Sequence, residues 1–232
     1  MKRLFPIAAA VLFAGQVHAA LVLGNLSTTT PGAQLSFGST TTINEVQSKA
    51  VSFTVDENFR LGSVYLGLSN FDDADVFDVF LGSLSGTVIS KVAQLSLTAP
   101  VRSQDNSALV WQFNLTGLSE FLLQPGTTYA LTLMGGSTTS YTWGREGLNP
   151  IPPTGPANFG NYYFSSDSGV TYNVSTDTHL TNSFAIDGTP LPLPAPITLL
   201  PAGLVLLALR RPRLRAKASI KIPAVRNQAI LA

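Results

Sequence analysis

The sequence predicts an all-β protein: an antiparallel β-sandwich, jelly-roll-like, with an N-terminal signal helix and a short C-terminal hydrophobic helix. Three observations carry that expectation. Turn-forming Gly, Asn, Asp, Ser and Pro recur about every 8–12 residues between short runs rich in Val, Leu, Phe, Tyr and Thr, the spacing of strands joined by hairpins. No window of the body sustains a 3.6-residue apolar period, so amphipathic helices are not expected there. Apolar segments flanked by basic residues stand near the two ends of the 232-residue chain.

Taken in order, Lys2 and Arg3 precede an apolar run over 4–15, and Val17-His18-Ala19 follows as a small-x-small pattern. Those are the three regions of a secretory signal peptide, so residues 1–19 are expected to be removed by signal peptidase after Sec export. The mature chain then starts at Ala20 or Leu21. Strands are expected at 49–55, where Val51, Phe53 and Val55 alternate, and at 59–69, 75–82, 88–97, 108–117, 128–135, 140–145, 160–166 and 179–188. Nine or ten such strands without intervening helices define the sandwich over 20–189. The segment 148–160 holds four prolines and reads as a long surface loop, because proline cannot donate to a sheet ladder. Residues 190–215 carry a proline motif, an apolar stretch and an arginine cluster, and 216–232 is a basic tail expected to be disordered.

The chain has no cysteine, which excludes disulfides, iron–sulfur and zinc–thiolate sites and a thiol-linked lipid anchor. About 165 residues can still bury roughly 70% of their unfolded surface in a core. The net charge of +1 hides an asymmetry: residues 20–195 hold all 13 acids and only five bases, a balance near −8. Such a body repels nucleic-acid phosphates, so no nucleic-acid partner is expected.

The order LGSVYLGLSN, DVFDVFLGSLSGTVIS, LLQPGTTYALTL, YTWGREG and FAIDGTP, spanning 45–189, resembles the bacterial extracellular domain called choice-of-anchor R. That resemblance implies an extracellular β architecture; the family has no established catalytic activity, so it supplies no chemistry. At the other end, the apolar run 197–209 has 13 residues and includes Pro201 and Gly203, short of the about 20 that a spanning helix needs. Pro192-Leu193-Pro194-Ala195, the apolar run, and Arg210, Arg211, Arg213 and Arg215 together resemble the VPLPA-type PEP-CTERM sorting signal, with Leu191 where that family has Val. The resemblance implies an exosortase-like transpeptidase as partner and processing near residues 193–195. The arginines would stay cytoplasmic until the cut. Seventeen residues follow Arg215, whereas the family ends just after its arginines.

Four constellations are candidates for chemistry. Asp72, Asp73, Asp75 and Asp78 concentrate oxygen ligands that could hold Ca²⁺, although their order matches no known calcium loop and a solvated hairpin turn is the simpler reading. No other cofactor is expected. Glu45, Glu57, Glu120 and Glu146 would have to converge in pairs to hydrolyse a glycoside. His179 is the one histidine left after signal removal and stands in no G-x-S-x-G context. Tyr141, Trp143, Tyr162 and Tyr163 flank the proline-rich loop and could stack on sugars, or belong to the core. Sequons at Asn25, Asn114 and Asn173 matter only in a eukaryotic secretory pathway.

The resulting expectation is an exported, non-enzymatic envelope or extracellular-matrix protein, structural or adhesive, passing transiently through inner-membrane tethering, with extracellular polysaccharide as a candidate partner. The alternative is a carbohydrate-active hydrolase or lyase, or a carbohydrate-binding module, on the same architecture.

Overall fold

The computed structural model describes residues 19–70, 77–99, 107–136, 140–149, 151–176 and 182–191, all within a compact unit that ends at Leu191. Both expected terminal helices and the basic tail lie outside these residues. Among the described residues there is no helix long and apolar enough to cross a membrane.

The described chain is all-β. Its strands are β1 (Ala20–Gly24), β2 (Phe37–Ile43), β3 (Ser48–Thr54), β4 (Phe59–Ser69), β5 (Phe77–Ser85), β6 (Val88–Ala99) and β7 (Leu109–Leu115). They continue with β8 (Leu122–Leu123), β9 (Tyr129–Gly135), β10 (Tyr141–Glu146), β11 (Asn158–Ser165), β12 (Asn173–Val174) and β13 (Phe184–Pro190). One antiparallel sheet runs β1-β13-β4-β7-β6-β5-β9-β3-β11-β12, with β10 and β8 also paired to β4, and β2 to β10. The expected strand at 59–69 coincides with β4, and most others agree within three residues. The one expected at 179–188 instead starts at Phe184. The loop expected over 148–160 is shorter: Asn158 to Gly160 already belong to β11.

Period-2 patterning explains which side of each strand is buried. Across β13, β4, β7 and β6, Ile186 lies opposite Val64, Val64 opposite Phe113, and Phe113 opposite Leu97. Across β3, β9 and β5, Val51 faces Leu131 and Leu131 faces Leu81. Both rows enter one core cluster, which also takes Trp111, Phe184, Tyr141 and Trp143. Burying each large apolar side chain contributes roughly 1.5–3 kcal/mol, so this cluster is the main source of stability in a chain with no disulfide. A smaller cluster, Ala50, Ala130, Tyr163 and Tyr172, lies on the opposite side of β3 and β9, which is why β3 is buried on both faces.

The outer edge of β1 is covered. Gly24 donates to Thr154 O (2.9 Å) and accepts from Thr154 N (2.7 Å), and Ala157 N donates to Val22 O (3.0 Å). Gly155 sits between these bonds with φ 145°, where a Cβ would meet Val22 O at 2.3 Å. Only glycine lets the backbone come this close. Gly155→Ala is therefore expected to cost about 2 kcal/mol or more in urea unfolding. Hydrogen exchange should show the Gly24 and Ala157 amides losing protection before the β4 amides do.

Candidate functional site

The aromatic set near the proline-rich loop divides. Tyr141 and Trp143 are fully buried at 0% exposure, so neither ring offers a face to a sugar, and the sugar-stacking expectation is corrected for both. Their polar tips are satisfied inside: Tyr141 Oη donates to Met134 O (2.8 Å) and Trp143 Nε1 to Ser183 O (2.9 Å). The cause is pairing on both edges of β10, against β2 and β4, which seals its apolar positions into the core. Tyr163 is buried in the small outer cluster with Tyr172. Tyr162 is half-buried on β11, packed with Phe159 at 5.0 Å between ring centroids.

Tyr162 belongs to a node centred on Asn25. The Asn25 side chain is buried; its Nδ2 donates to Ile151 O (3.1 Å) and Asn182 O (3.3 Å), and its Oδ1 accepts from Phe184 N (2.9 Å). Tyr162 Oη reaches Asn182 O at 3.5 Å. Burial pushes the Tyr162 phenol well above the ordinary tyrosine range, against a smaller lowering by the Asn25 contact, so it stays a neutral donor at physiological pH. Beside it, Thr41, Lys49, Tyr162, Tyr163, Ser175 and Asn182 line a cavity with room for about one water molecule. That volume fits solvent and not a sugar ring. The node ties the end of β1, the proline-rich loop and the start of β13 together.

The described acidic candidates stand in separate places. Asp72, Asp73 and Asp75 lie outside the described residues, as does His179. Asp78 on β5 is ion-paired with Lys91 on β6, and its Oδ1 accepts from Gln94 Nε2 (2.8 Å). Among the described residues no three His, Cys, Asp or Glu side chains gather as a metal site. Glu45 and Glu57 sit in different turns; Glu120 pairs with Arg60 at 2.9 Å, and Glu146 accepts from the Ser27 amide (2.9 Å) and hydroxyl. Two of the four glutamates are thus held by structural partners, Glu120 between β7 and β8 and Glu146 at the end of β10.

Asp167 closes the turn after β11. The Ser165 hydroxyl (2.6 Å), then the Thr171 hydroxyl (2.6 Å) and amide (3.0 Å), hold its carboxylate down at about 2. The turn delivers Tyr172, whose Oη lies 3.3 Å from Ser48 Oγ, onto the outer side of β3. Of the sequons, Asn25 is consumed by the node, Asn114 is half-buried, and Asn173 is exposed on β12.

Comparison with models of known families, with curated proteins and with solved structures gives no match.

Two outcomes follow from this geometry. Asn25→Ala strands the buried Phe184 N–H and removes a donor from Ile151 O and Asn182 O, and is expected to cost about 2–4 kcal/mol, read by denaturant unfolding. Asp167→Asn should lower Tm at neutral pH. A depressed folded-state pKa contributes stability above the ordinary carboxyl value of about 3.9 and loses it as pH falls. The gap in Tm between native and variant chains should therefore close as pH drops from about 4 toward about 2.

Proposed function

We propose that this chain is an exported, non-enzymatic protein of a Gram-negative envelope or extracellular matrix, structural or adhesive in role, delivered by an exosortase-type C-terminal sorting signal. The observation that carries the reading is where the first and last described strands lie relative to the two expected cuts. The first strand begins at Ala20, one residue beyond the expected signal cleavage, and the last ends at Pro190, just before Pro192-Leu193-Pro194-Ala195. Cuts at both expected points remove no residue of the core cluster, so the body survives both processing events intact. The engagement of Asp78, Glu120 and Glu146 by structural partners supports a non-catalytic role. Strands from the β13-β4-β7 and β3-β9-β5 regions send side chains into one common core, which supports reading the sheet as a jelly-roll-like sandwich of two layers.

The test is expression of the full chain in a Gram-negative host with its exosortase intact or deleted, followed by mass spectrometry of the product's C-terminus. The intact host should yield a body ending near residues 193–195 in the outer envelope or medium. The deletion host, or replacement of Pro192 and Pro194 by Ala, should leave the arginine cluster attached and the chain in the inner-membrane fraction. A native chain that keeps its arginines in the intact host, or that never leaves the cytoplasm, would overturn the proposal.

A further inference from the structure

The outward face of β4, β7 and β6 carries an organised set of uncharged polar groups that the core does not use. Residues directly opposite each other in an antiparallel ladder share a face. Because Val64, Phe113 and Leu97 point into the core, the alternate residues point out: Tyr65 opposite Gln112, and Asn114 opposite Ser96. Ser63 precedes Tyr65 by two positions and shares its side. These side chains hold one another in place. Ser63 Oγ donates to Asn114 Oδ1 (2.7 Å), Gln112 Nε2 donates to Ser63 Oγ (3.0 Å) and approaches Asn114 Oδ1 at 3.4 Å, and Thr116 Oγ1 donates to Ser96 Oγ. Tyr65, Gln112, Asn114 and Ser63 are half-buried, and Ser96 and Thr116 are exposed.

The bonding leaves a specific remainder. Asn114 commits its Oδ1 and Gln112 its Nε2 within the cluster, while the Asn114 Nδ2 donor and the Gln112 Oε1 acceptor have no partner among the described residues. A fixed donor beside a fixed acceptor matches vicinal hydroxyls of a sugar ring, since each hydroxyl both donates and accepts. Tyr65 adds an aromatic ring, the usual platform for the C–H face of a pyranose. Among the described residues, ionic groups stand at the borders of this face: the Arg60–Glu120 pair, Asp187 on β13 and the Asp78–Lys91 pair. A balance near −8 over residues 20–195 disfavours an anionic polymer.

We propose that this face binds an uncharged polysaccharide chain, with Tyr65 stacking on a ring and Gln112 and Asn114 bonding its hydroxyls. The proposal deepens the adhesive reading above and rests on it for where such a polymer is met. Its failure is separable, because binding is measured on purified full-length chain irrespective of how the C-terminus is processed. The experiment is affinity electrophoresis through gels containing dextran, hydroxyethylcellulose or galactomannan, with alginate as the anionic control.

At least one neutral gel should retard the native chain and alginate should not. Tyr65→Ala and Gln112→Ala should each raise the apparent Kd about tenfold, the loss of one good contact, with Tm unchanged, while Tyr65→Phe retains binding. Migration unaffected by all three neutral polymers would overturn the proposal. So would retardation that the folded Tyr65→Ala and Gln112→Ala variants keep in full. Sedimentation showing that these variants dissociate a dimer, with no retardation at stake, would instead make the face a contact between copies.

Discussion

Backbone hydrogen bonding along both edges of β4 is the interaction on which the rest of this molecule depends. Eleven residues long, the strand binds β13 and β10 along one edge and β7 and β8 along the other. Each of its peptide groups that finds a partner there is spared the cost of being buried unpaired. With that pairing set, Leu66 and Val64 are fixed in the core and Tyr65 and Ser63 on the outside. Loss of register by one residue would exchange those two sets and expose the core row from β13 to β6.

Regions far from β4 are stabilised by different means. The outer edge of β1 is closed by the Thr154–Ala157 segment, and its end by Asn25, whose carboxamide serves three backbone groups at once. The turn after β11 depends on Asp167, an exposed charged acceptor, and brings Tyr172 onto a second small core. A protein without disulfides thus secures its periphery with side-chain caps on backbone groups, while its centre relies on apolar burial. The outward face of β4, β7 and β6 has neither duty, and its amides and hydroxyls bond mainly to one another.

Much of the strand pattern is legible in the sequence because alternation and turn residues report it directly. KAVSFTV, FRLGSVYLGLS and TYALTLMG carry strong apolar alternation and become β3, β4 and β9. FGSTTTI does not stand out, since Thr and Ser at most positions of β2 leave no apolar period, and β-branching alone is a weak signal. Short β1, β8 and β12 fail for want of length. The site was less legible. Trp143 and Tyr141 look like candidates for exposure beside a proline-rich loop, yet pairing of β10 on both edges buries them, and pairing is a long-range fact that local composition does not encode. Asn25 reads as a sequon and turns out to be a backbone cap. The polar face is visible as Tyr65, Gln112 and Asn114 only after the register of β4 with β7 is known.

The adjacency of β1 and β13 bears on the timing of folding. Ala20 lies opposite Gly188, so the first strand of the body hydrogen-bonds to its last. Asn25, near the start, likewise waits for Phe184 to cap. Whatever order the chain emerges in, β1 has no permanent partner until nearly the whole body is available, and contacts of such long sequence separation form slowly. Until then β1 lacks the neighbouring strand that its hydrogen bonds to β13 require. Completion of the sheet is therefore an event that only the full-length body can trigger.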